Sequence, residues 1–180
     1  MKKLWIGATL AAVALFVWGF IFWALLPTPW LVLRGAPDEV ALASSVAQAL
    51  PGPGVYVLPH PHGSDEAEAA RRAVEGPILQ IILSAGRDPM SPAMFLGGFL
   101  HMWISALLMG WLLMRFAPAG YRGALLCAAG MAGAAAVWGN LGKPIWYAQP
   151  WGFHLLNAVY DFTGWVLAGA VLARFVRREA

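Results

Sequence analysis

From Leu4 to Leu26 the chain runs for 23 residues with Thr9 as its most polar side chain. At roughly 1.5 Å per residue a helix of that length crosses the ~30 Å hydrocarbon core of a bilayer. Three more apolar runs follow, at 94–114, 123–140 and 150–175. No water reaches the core of a bilayer, so each backbone N–H and C=O there must be satisfied within the segment, which selects helices. Only 12% of the residues are charged and 60% are hydrophobic; a soluble domain carries about 25% charge. The expected fold is a membrane all-α bundle of four transmembrane helices, with a small α+β extracytoplasmic insertion between helices 1 and 2. The lipid bilayer is then the first partner of the chain.

The N-terminus begins Met1-Lys2-Lys3, which also suits a signal peptide. The apolar region of a cleaved signal is about 7–15 residues and ends at small residues. Here the run is longer and ends in Phe20-Ile21-Phe22-Trp23, with Pro27-Thr28-Pro29-Trp30 behind it. Residues 1–26 are therefore expected to be an uncleaved anchor.

Residues 27–93 form the one sizeable polar region. Pro37-Asp38-Glu39 opens a helix, because proline suits the first turn and acids suit the positive end of the helix dipole. Val40, Leu42, Val46 and Leu50 give it an apolar stripe, and Pro51-Gly52-Pro53-Gly54 stops it. Val55–Leu58 reads as a strand. After the turn at Pro59–Gly63, Ser64-Asp65-Glu66 caps a second helix that runs to about Val74. Gly76-Pro77 ends it, and Ile78–Leu83 reads as a second strand, rich in β-branched residues. Two short helices and two strands bury little, so this region is expected to lean on the membrane helices or on another protein.

Gly130, Ala132, Gly133, Ala134, Ala135 and Ala136 crowd the third run, which Asn140-Leu141-Gly142-Lys143-Pro144 is expected to break. Small residues let helices approach closely in lipid, so this run is expected at the centre of the bundle. Lys2, Lys3, Arg115, Arg122, Arg174, Arg177 and Arg178 cluster at span ends on one side. Arg34, Arg71, Arg72, Arg87 and Lys143 fall on the other, three of them inside the larger polar region. By the positive-inside rule both termini are cytoplasmic and residues 27–93 are periplasmic, in a bacterial-type inner membrane. The net charge of +3 is thus a topology signal, and no nucleic-acid partner is expected.

The fourth run carries the one strongly acidic group deep in an apolar segment, Asp161. A charge at the bilayer centre costs roughly 3 kcal/mol on insertion scales. His154, Asn157 and Asp161 are spaced i, i+3, i+7, which places them on one helical face, with Trp165 a turn further. Lipid cannot satisfy that intramembrane polar face, so it should meet protein, water or a cofactor. Asp161 is expected to pair with a donor from another span, with Asn140, Trp103 and Ser105 as candidates. Relaying an ion or anchoring a partner subunit are its other readings. His101 and His154 fall at similar depth in the second and fourth runs. They could serve as paired axial haem ligands, or bind copper with Met90, Met94 and Met102 as soft neighbours. The plainer reading has both histidines hydrogen-bonded near the interface. His60-Pro61-His62 reads as an ordinary loop. Cys127, the single cysteine, forms no disulfide within the chain and reads as a small apolar residue.

No GxSxG, Walker loop, GxGxxG or HExxH is present, and no enzyme activity is expected. Four spans without a visible inverted repeat are few for a transporter. These features point to an accessory, assembly or structural subunit of a larger membrane complex, acting through contacts with other subunits, with no cofactor favoured. Haem or copper binding at His101 and His154 is the alternative, and an oligomeric transporter using Asp161 a weaker one.

Overall fold

The computed structural model describes residues 1–60 and 65–176. Among the described residues four stretches are long and apolar enough to cross a membrane: Lys2–Leu25, Pro92–Phe116, Gly120–Tyr147 and Trp151–Val176. The chain separates into two compact units, one made of Met1–Arg34 with the chain from Pro89 onward, the other of Gly35–Asp88.

In the first unit, α1 (Lys2–Phe20) runs on into a π-turn at Ile21–Leu25. The others are α4 (Pro92–Phe116), α5 (Gly120–Ala136) and α7 (Trp151–Val176). The side-chain pairs fix their directions. Gly7 of α1 meets Phe175 of α7, and Gly19 meets Tyr160; Phe16 of α1 meets Phe99 of α4, and Leu4 meets Gly110. Gly133 of α5 meets Phe162, and Ala128 meets Gly169. Hence α1 and α5 run opposite to α4 and α7, as short connections require.

The core is built of small residues. Ala124, Ala128, Ala132 and Ala136 recur every four residues and are all buried, so they form one face of α5. A Cβ on Gly110 would stand 2.6 Å from Leu4 Cδ1 and 3.1 Å from Leu172 Cδ2, so three helices approach there only because the side chain is absent. The centre of the packing differs from the expectation. α7 touches α1, α4 and α5, whereas α5 packs chiefly on α7. The alanine-bearing α5 serves chiefly one neighbour; α7 presents Gly164 to Trp18 of α1 and Gly169 to Ala128 of α5.

The third apolar stretch is also longer than the break expected at Asn140–Pro144. After α5 the helix widens into a π-turn at Val137–Leu141 and continues as α6 (Gly142–Tyr147). In a regular α-helix the ring of Pro144 would meet the carbonyl of residue 140. The wider turn falls at that carbonyl and carries the helix past the proline. Ala148, in the left-handed region at φ 53°, ends it.

The unit Gly35–Asp88 holds α2 (Glu39–Ala49), β1 (Gly54–Leu58), α3 (Glu66–Glu75) and β2 (Leu79–Leu83). β1 and β2 pair antiparallel, with Gly54 opposite Leu83 and Leu58 opposite Leu79. Asp38 accepts from the Ala41 amide at 2.9 Å, and Asp65 from those of Ala67 and Glu68 at 2.9 and 3.4 Å; these caps set where the two helices start. No described residue of this unit is buried.

Candidate intramembrane polar site

Asp161 sits ten residues into α7, roughly 15 Å along its axis from Trp151. Of the three donors considered, Asn140 is the one that reaches it. Asn140 Nδ2 donates to Asp161 Oδ2 at 2.8 Å and to the Ala136 carbonyl at 3.2 Å. Asn140 is only 6% exposed, while Asp161 is half-buried. The π-turn makes the contact possible, because it turns Asn140 onto α7 just where regular α-helical geometry is interrupted. Such turns recur at functional positions. Trp103 is engaged elsewhere, its Nε1 donating to Thr9 Oγ1 at 3.1 Å.

The two other polar residues of the stripe have partners of their own. His154, 3% exposed, places Nε2 2.6 Å from Gln149 Oε1. With that oxygen as acceptor, Nε2 carries the hydrogen and Nδ1 presents a lone pair, which has no hydrogen-bond partner among the described residues. A buried ring nitrogen left in this way is uncommon. Asn157 donates to the Phe153 carbonyl at 2.7 Å, within its own helix. The i, i+3, i+7 spacing therefore describes one face but not one connected network. Gln149 gave no sign of this role in the sequence, since it lies outside the apolar run.

His101 and His154 are not brought together. His101 is exposed on α4, whereas His154 is buried and paired with Gln149. Gly110 of α4 lies against Leu172 of α7. His101 is nine residues before Gly110 and His154 eighteen before Leu172, which leaves nine residues, roughly 13 Å, between their levels along these parallel helices. Met102 packs against the core, and Met90 is 70% exposed. Among the described residues no three His, Cys, Asp or Glu side chains converge as a metal site would need. His60 is exposed, and His62 lies outside the described residues.

The ion pairs among the described residues all lie within α3: Arg71 with Glu68 and Glu75, and Arg72 with Glu68. Asp161 therefore stands inside an apolar span with an amide donor and, among the described residues, no basic side chain at bonding distance. Comparison with protein-family models, curated proteins and solved structures finds no match to this chain.

Proposed function

We propose that this integral membrane protein is an accessory or assembly subunit, working through contacts in the bilayer and through the unit Gly35–Asp88. One observation carries the reading: no described residue of that unit is buried. Val40 is 82% exposed, Val55 62%, Val74 90% and Ile82 74%. Fully burying such a side chain contributes about 1.5–3 kcal/mol, and a unit of this size without a core is marginal alone. A protein partner would supply the missing burial. The reading extends to orientation. Lys2, Lys3, Arg115, Arg122 and Arg174 flank the spans at the end that holds the α4–α5 turn, which supports cytoplasmic termini and a periplasmic 27–93 segment in a bacterial-type inner membrane. No catalytic role is proposed.

Purification of the full chain from native membranes in a mild detergent tests this, with mass spectrometry and a visible spectrum of the same sample. Partners at fixed stoichiometry, without colour, are the expected result. A lone chain with a Soret band would replace this reading by haem binding, and a lone colourless chain would remove the accessory role.

A further inference from the structure

We infer that the outer face of α4 around His101 docks the α4 helix of a second copy of this chain, with the two imidazoles hydrogen-bonded across the contact. α4 turns Phe99, Met102, Ala106 and Gly110 towards the other helices. At about 100° per residue His101 falls on the far side of the helix from them. His101 is exposed there, and among the described residues its ring makes no hydrogen bond. It lies nine residues past Pro92 and fifteen before Phe116, roughly 13 and 22 Å along the axis, and so within the ~30 Å hydrocarbon core. Lipid tails offer an imidazole neither donor nor acceptor, so a ring at this depth needs protein or water beside it. Gly97 and Ser105 stand four residues to either side of His101, on one row of the helix surface. A Cβ on Gly97, or on Gly98 beside it, would meet nothing within 4 Å. Gly110, Gly164 and Gly169 are bare because a neighbour within the chain needs the space. Gly97 serves no such neighbour, although glycine weakens a helix interior. Bare positions of this kind let a second membrane helix approach closely, crossing at about −40° along such a row. The helices part beyond the crossing, which keeps Trp111 and Arg115 of the two copies separate. A second copy is the occupant that the chemistry selects. A neutral imidazole carries one donor and one acceptor, so it is complementary to itself. All copies insert in the same direction, so a two-fold axis between two of them runs along the membrane normal. Each residue then meets its counterpart at its own depth. His101 thus meets the imidazole of the second copy and, one turn on, the hydroxyl of that copy's Ser105. Within its own chain the Ser105 hydroxyl has no hydrogen bond among the described residues. Ile104, 47% exposed, and Leu108, 60%, flank the row and complete the contact.

The test uses the full chain, with Cys127→Ser as background. On oxidation of native membranes Ile104→Cys should give a disulfide-linked pair of copies, whereas Leu126→Cys, 62% exposed on α5, should not. Association is then read by fluorescence transfer between labelled copies diluted in lipid. His101→Leu should weaken it about threefold to thirtyfold, the range for losing one hydrogen bond between membrane helices. His101→Gln, which keeps a donor and an acceptor, should retain it. Gly97→Leu fills space that is open within its own chain and should also separate the copies, and each variant should keep the helical content of the wild type. Unchanged association in both His101→Leu and Gly97→Leu, a disulfide at position 104 to a different protein, equal linking at position 126, or a monomeric wild-type chain overturns the inference. So does a Soret band that His101→Leu abolishes, which would give the imidazoles to haem. The accessory reading is tested separately: a dimer free of other proteins removes that reading and keeps this contact, and a monomer bound to other subunits does the reverse.

Discussion

Asn140 and Gly169 show how much rests on single side chains here. Replacing Asn140 with Leu removes the donor to Asp161 and leaves a polar group unsatisfied at a helix contact. A loss of about 1–3 kcal/mol is expected for such an orphan, read as a lower melting temperature in detergent, while Asn140→Asp tests whether a second acid there is worse still. Gly169→Val should cost a similar ~1–3 kcal/mol by overpacking against Ala128. Gly130 provides the contrast, because a Cβ there would meet nothing within 4 Å. Gly130→Ala should be neutral or stabilising by up to ~1 kcal/mol. Equal losses at positions 169 and 130 would mean that helix propensity, not the α5–α7 contact, governs both. Asp161 itself stood out from sequence, because a lone acid in an apolar run has a high cost. Its partner did not: Asn140 looked like part of a helix break, and Trp103 and Ser105 looked equally able to reach.

At the scale of elements, α3 is held by charge as well as by its cap. Glu68 accepts from Arg71 at 2.8 Å and from Arg72 at 2.7 Å. These guanidinium groups hold its carboxyl below the usual 4.5. The folded value is therefore lower than the unfolded one. The contribution of Glu68 is fully present above the unfolded value and is lost as pH falls through the folded value. Hydrogen exchange across residues 66–75 should show α3 loosening as pH falls below about 4.5, by a small amount because the pairs are exposed. Glu68→Gln should remove most of that pH dependence; an unchanged profile would assign it to other carboxyls. The helix starts near Asp38 and Asp65, the proline stops and the β-branched strands were legible locally, because each acts within a few residues; that Asp38 and Asp65 are themselves the capping residues came from the structure. The continuation of the third span was not. Pro144 reads as a stop, and only the π-turn one step earlier lets the helix pass it.

For the whole molecule, orientation is the property most open to measurement. With Cys127 replaced by Ser, a cysteine at Val74 should react in intact cells with a membrane-impermeant maleimide, whereas one at Arg115 should react only after the membrane is opened. The reverse pattern would invert the proposed topology and move Gly35–Asp88 to the cytoplasm. Asp161 would keep its depth and its bond to Asn140 in either orientation.

Length and hydropathy alone marked four helices long and apolar enough to cross a membrane, and a polar segment of two helices and two strands. The sequence also marked the face of the last helix that carries His154, Asn157 and Asp161. Those features follow from length, periodicity and the cost of polar groups in hydrocarbon, which are local quantities. Packing between helices sets which of them lies at the centre, which donor meets Asp161, and the different levels of His101 and His154. Each of these depends on how far one helix slides and turns against another. In lipid that is set by the small residues that happen to meet, such as Gly110 with Leu4 and Gly169 with Ala128, and not by any pattern within one helix.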